Sequence, residues 1–147
     1  MQDNTFSYTL GAGGVATGSK CVMTINVNRL VQNAVWDDPL DDIRKDMEVM
    51  VEKVHKYLLA FNAILKERQV AGLLPVYDAG FVTPEKQYLT VGINGFMEGA
   101  ESLDIEPDAD NPDYIKYAKA VLKPIYEANR RDRADGVMWN CEMVPGH

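Results

Sequence analysis

The chain of 147 residues has only two cysteines, Cys21 and Cys141, and only two histidines, His55 and His147. The cysteines lie far apart and neither has a C-x-x-C partner, so a disulfide framework and a structural zinc site both lose their scaffold. Both are expected to be buried, reduced and non-catalytic thiols, and no metal ligands stand out. Positive charge is scarce as well: 15 Lys and Arg face 22 Asp and Glu, a net charge of −7 at pH 7. That balance argues against nucleic-acid binding, which needs clustered basic residues. No apolar run approaches the length of a membrane span, and no signal peptide is recognisable. The expectation is a cytoplasmic protein with neither nucleic acid nor membrane as a partner.

A hydrophobic share of 46% and a charged share of 25% suit a globular domain, and a chain of this length can bury roughly 70% of its unfolded surface. One domain, residues 1–147, is expected. The stretch "GAGGVATGSKCVMTINVNRL", Gly11 to Leu30, nearly spells a phosphate loop. Ser19 and Lys20 stand in the wrong order, however, and a β-branched run follows where a helix N-terminus should face the phosphates. Cys21 to Val27 instead predicts a strand buried on both faces, followed by a short helix over Arg29 to Val35.

Ile43, Met47, Met50, Val51, Val54, Leu58, Phe61 and Leu65 recur at three- and four-residue steps and predict a long amphipathic helix. Asp38 suits its N-cap, Pro39 its first position and Gly72 its end. His55, a lone histidine on that helix, is expected at its surface or boundary. "YLTV" predicts a strand, Gly92 and Gly95 permit a tight turn, and Phe96 to Leu103 predicts a short helix. Strand, glycine turn and helix can build a site; the same glycines equally suit close helix–strand packing.

In "DIEPDADNPD" the acids alternate, but Pro112 holds a ligand position and the glycine and glutamate of an EF-hand are absent. Asn111 and Pro112 suit the start of another helix, with Ile115, Ala118, Val121, Leu122 and Ile125 as its buried stripe and Pro124 as a kink or interruption. "VMWNCEMV", Val137 to Val144, predicts a last strand. The order strand, helix, strand, helix, helix, strand argues for an α/β fold with mainly parallel strands.

Three stretches carry a family resemblance. "GSKCVMTINVNRL" resembles the "GS-x-x-VVTINLPR" stretch of anaerobic, class III ribonucleotide reductases, which are glycyl radical enzymes. "LTVGINGFMEGAE" resembles their "TIGxxGxxEA" segment, and "NCEMVPG" is similar to their "NxExxPxE" stretch; the three occur here in the family's order. The resemblance implies a partial slice of a ten-stranded α/β barrel with long helical crossovers, running from the exit of the finger loop to a late substrate loop. It implies a part in converting ribonucleotides to deoxyribonucleotides by glycyl and thiyl radical chemistry.

The same resemblance implies no catalytic residue in this chain. Cys21 occupies a strand position downstream of where the radical cysteine belongs, and the glycyl radical segment, its cysteine cluster and the regulatory nucleotide-binding domain have no counterpart. Inactivity alone is therefore expected. Substrate positioning falls to Ser19, Asn26, Gly92, Asn94, Gly95, Glu142, Pro145 and Gly146, with phosphate contact as the role of the last three. No cofactor is implied for this segment; the parent enzyme needs its glycyl radical and an activating enzyme that uses S-adenosylmethionine and an iron–sulfur cluster. The implied partners are a ribonucleotide and either complementary reductase fragments or further copies of the chain. Two alternatives stay open: a non-catalytic remnant or protein-binding module, and a segment of another glycyl radical enzyme or reductase class.

Overall fold

In a computed structural model, residues 18–34 and 38–144 are described. Three parallel strands, β1 (Ser19–Asn26), β2 (Tyr88–Asn94) and β3 (Met138–Met143), form one sheet in the order β1-β2-β3. The connections are helical: α1 (Val27–Gln32), α2 (Pro39–Val70) and α3 (Pro75–Asp78) lie between β1 and β2, and α4 (Phe96–Glu101) and α5 (Pro112–Arg131) lie between β2 and β3. This is the predicted α/β arrangement. Among the described residues no helix is long and apolar enough to cross a membrane.

Local chemistry sets the helix starts. Asp38 accepts from the Asp41 backbone N–H with Pro39 just inside α2, and Asn111 accepts from Asp113 N–H with Pro112 just inside α5. Each cap satisfies a donor that the first turn leaves without an intrahelical partner. Asn26 does the same for α1, accepting from Arg29 N–H at 2.9 Å, so α1 begins at Val27, ahead of the expected Arg29.

The core lies between the sheet and the pair α2 and α5. Leu89, Val91 and Ile93 of β2 point into it with Ile25, meeting Ile43, Met47, Val51, Val54 and Leu58 of α2 and Tyr117, Val121 and Ile125 of α5. Several expectations are corrected here. Met50 and Phe61 lie at the exposed flank of the α2 stripe, and Ile115 is exposed while Tyr117 is fully buried. α5 runs unbroken through Pro124, which is itself buried; a proline removes only one helical donor, and packing against α2 holds the remainder. β1 is not buried on both faces: Val22, Thr24 and Asn26 are exposed. Gly92 belongs to β2 and not to the turn, which Gly95 alone makes with a φ of +66°.

His55 is the largest correction. It is 2% exposed, with Nδ1 donating to Asp132 Oδ2 at 2.7 Å and Nε2 lying 2.9 Å from the Asn129 amide oxygen. Its ring stacks on Trp139 at 3.9 Å between centroids, and the Trp139 indole N–H donates to the Asp132 carbonyl at 2.9 Å. The cluster clasps α2, the end of α5 and β3 together. Arg131 also binds Asp132 and reaches Glu52 on α2.

Hydrogen bonding from Arg131, opposed by desolvation and supported by His55, holds the Asp132 carboxyl down to about 2 from an ordinary 3.8. Because the folded value lies below the unfolded one, Asp132 contributes stability in full above about pH 4, and that contribution is lost as pH falls toward about 2. Urea midpoints measured across this window should fall with pH in the native chain, and D132N should flatten that slope. A second test concerns Gly99, where a Cβ would stand 2.5 Å from the buried Tyr117 hydroxyl, which donates to the Phe96 carbonyl at 2.8 Å. Gly to Ala in a helix normally gains about 1 kcal/mol; here overpacking of roughly 1–3 kcal/mol should outweigh it. G99A should lower the unfolding midpoint, and its cost in a Y117F background should be smaller than in the native one.

Candidate functional site

Side chains alternate between the two faces of a strand, and the register divides the sheet accordingly. Thr90 lies beside Val22 and Asn140, Gly92 beside Thr24 and Glu142, and Asn94 beside Asn26. These residues share the face turned away from the α2 and α5 core. Ser19 joins them through a local irregularity. Counting back from Cys21 by twos would place Ser19 on the helix side, but the β1–β2 register shifts between Ser19 and Cys21, so Ser19 stands opposite Tyr88. A bulge of this kind re-aims a side chain, and here it turns Ser19 toward Thr90.

A hydrogen-bonded chain crosses all three strands on that face. Ser19 Oγ and Thr90 Oγ1 are 2.6 Å apart, Thr90 Oγ1 donates to Asn140 Oδ1 at 2.6 Å, and Asn140 Nδ2 donates to Glu142 Oε1 at 2.8 Å. Thr90 is fully buried and Glu142 exposed. Of these four residues, the sequence reading had singled out Ser19 and Glu142. Thr90 and Asn140 were missed, although both stand inside the quoted stretches "LTVGINGFMEGAE" and "NCEMVPG"; alternation along each strand was the signal that could have found them.

The two glycines serve different ends. A Cβ on Gly92 would lie 2.7 Å from Thr24 Oγ1 and 3.3 Å from Thr24 Cα, so Gly92 leaves bare backbone between Thr24 and Glu142. At Gly95 a Cβ would lie 2.8 Å from Asn28 Cβ, and the positive φ independently favours glycine there. Gly95 thus lets the β2–α4 turn lie against the β1–α1 turn. Asn26 spends its side-chain oxygen on the α1 cap, and Asn94 is exposed beside it. Pro145 and Gly146 lie outside the described residues, as does the glycine-rich loop before Gly18.

Neither cysteine is on this face. Cys21 and Cys141 share the helix side, in register with Leu89 and Val91, and the expectation that both are buried fails: Cys21 is partly exposed and Cys141 exposed, at the sheet edge near Tyr126 and Trp139. Protein atoms crowding that edge, and then the Glu142 charge, nevertheless push the Cys141 thiol up to about 11, which disfavours the reactive thiolate. Among the described residues no group of three or more His, Cys, Asp or Glu is placed to hold a metal ion.

Comparison with known proteins was made on sequence and on fold. A family model described as anaerobic ribonucleoside-triphosphate reductase matches residues 2–147. The chain is similar to the anaerobic ribonucleotide reductase of Thermotoga maritima solved with citrate in the active site, with a TM-score of 0.77 and 29% identity over 87% of this chain and 24% of that one. The same enzyme in complex with dATP and CTP gives 0.73 and 28% over 82% of this chain and 21% of that one. Another solved anaerobic ribonucleotide reductase gives 0.73 and 28%, covering 82% of this chain and 20% of that one. No curated protein matches the sequence. The chain therefore spans about a quarter or less of the length of these solved enzymes, and with its sequence and its parallel α/β fold both matching, it belongs to the anaerobic ribonucleoside-triphosphate reductase family.

Proposed function

We propose that the chain is a slice of the catalytic barrel of an anaerobic ribonucleotide reductase, supplying three adjoining strands and loops that position a ribonucleotide for reduction. The observation that carries this reading is the convergence of Ser19, Thr90, Asn140 and Glu142, drawn from the three stretches that carry the resemblance, into one chain on one face of the sheet. In a closed barrel that face points inward. It offers hydroxyls, amides and one carboxylate, a set that matches the hydroxyls of a ribose. A carboxylate repels phosphate, so Glu142, for which the resemblance implies phosphate contact, is reassigned here to the sugar. The phosphate contact that the resemblance implies stays with Pro145 and Gly146, where the backbone donor is Gly146 because proline has none.

The sheet edges support the same reading. Among the described residues β1 and β3 each pair only with β2, and unpaired strand edges invite further strands. Beside the β1 edge runs a groove of about 540 Å³ lined by Met23, Ile25, Leu30, Val49, Met50 and Tyr57. Val49, Met50 and Tyr57 are exposed on α2, as suits a helix that a neighbouring strand–helix unit would cover. Because both cysteines lie on the helix side, this reading assigns the thiyl radical to a cysteine of another segment. The glycyl radical and the activating enzyme with its S-adenosylmethionine and iron–sulfur chemistry are assigned elsewhere with it, on the family resemblance. A cytoplasmic location accompanies this assignment.

The purified 147-residue chain, given an activating enzyme, reductant and ribonucleotide, should form no deoxyribonucleotide. Size-exclusion chromatography with light scattering should show self-association of the chain alone and a defined complex after co-expression with the remaining barrel segments of a reductase. Turnover by the chain alone would overturn the assignment of the radical residues. A stable monomer indifferent to those segments would overturn the barrel reading and favour an independent binding module.

A further inference from the structure

The chain from Ser19 to Glu142 has a direction, and its direction is set from one end. Glu142, as a carboxylate, can only accept, so the Asn140 group facing it at 2.8 Å must be the amide N–H. The Asn140 oxygen is thereby turned toward Thr90 and can only accept in its turn. Thr90 spends its single proton on that oxygen. The 2.6 Å contact with Ser19 then needs the Ser19 proton, although the carbonyls of Cys21 at 3.0 Å and Tyr88 at 3.3 Å also lie within its reach.

We propose that Thr90 and Asn140 are positioning residues, through which the Glu142 carboxylate on β3 fixes the donor direction of Ser19 on β1. With its proton committed inward, Ser19 presents lone pairs to the face, and Glu142 presents its other oxygen. Both ends of the relay then act as acceptors, the polarity required by a ligand that donates hydroxyl protons. Hydrogen bonds in a chain polarise one another, so removing the anion releases every link. Asn140 can rotate its amide, Thr90 can turn its proton toward Ser19, and Ser19 can turn its own to the Cys21 carbonyl. The use of this face by a ribose rests on the barrel reading above; the direction of the relay rests on hydrogen-bond geometry alone, so the two fail separately.

The test is carbon-detected NMR of the 147-residue chain, in solution or, if it self-associates, sedimented under magic-angle spinning. The readouts are the Ser19 Cβ shift and the Asn140 side-chain amide signals, with Ser102 as an internal control because it lies outside the relay, donating to the Gly99 carbonyl. E142A should move Ser19 Cβ and the Asn140 amide while leaving Ser102 in place. In a T90V background, where the hydroxyl is replaced by a methyl of similar shape, E142A should no longer move Ser19; in a T90S background, which restores the hydroxyl, it should move Ser19 again. If T90V fails to fold, N140L breaks the next link and should uncouple Ser19 in the same way. The proposal is overturned if E142A leaves Ser19 unmoved with Thr90 intact, or if it moves Ser19 equally when the relay is broken. Loss of nucleotide binding or of assembly with other reductase segments, with this coupling preserved, would overturn the barrel reading and leave the relay standing.

Discussion

Thr90 sits in the central strand with no solvent exposure, so its hydroxyl must find partners within the protein or destabilise it. It finds one on each side, Ser19 on β1 and Asn140 on β3. Much of the sheet follows from that requirement. Parallel strands share no hairpin, and each neighbour of β2 arrives only after a helical crossover, so side-chain bonds across the sheet help to fix which residue stands opposite which. The bulge at the start of β1 belongs to the same constraint, because without it Ser19 would face the helices.

The parts legible in the sequence were those written in local chemistry. Asp38 with Pro39 and Asn111 with Pro112 mark helix starts through a side-chain oxygen and a missing N–H, both visible within four residues. The alternation of helices and strands gave the parallel α/β fold in the same way. What stayed hidden depends on partners distant in the chain. His55 looks like a lone surface histidine until Asp132 and Asn129, more than seventy residues on, are brought to its two nitrogens. The β1 bulge reverses the facing of Ser19 without any glycine or proline at Lys20 to announce it. Pro124 reads as a break because propensity is a local quantity, whereas the burial of α5 against α2 is not. For the site, the sequence supplied Ser19 and Glu142 at the two ends of the relay, and the middle emerged only with the register.

The two faces of the sheet divide the chemistry between them. The helix side carries both thiols, and with them the His55 cluster, bound up in stacking and hydrogen bonding. The other side carries hydroxyls, amides and the single carboxylate of Glu142 in a connected chain. Gly92 is buried between Thr24 and Glu142, and a methyl there would press on Thr24 and Val22 of the neighbouring strand. The polar groups are thus gathered on one face, while the helix side is filled by Leu89, Val91 and Ile93.

The two systems meet at β3. Its residues from Cys141 to Met143 are exposed, and an edge strand with so little burial has little of its own to hold it in register. It is instead held at two consecutive positions from opposite sides: Trp139 is stacked on His55 and bonded to the Asp132 carbonyl, while Asn140 is bonded to Thr90. Successive side chains of a strand point to opposite faces, so a clasp at one residue and a relay at the next together fix both the height and the roll of the strand. Glu142, two residues further along on the relay side, inherits that placement. The imidazole of His55 lies on the opposite side from the polar face, yet the indole it stacks against and the amide that donates to Glu142 are neighbours on one short strand, so the two systems brace the same edge.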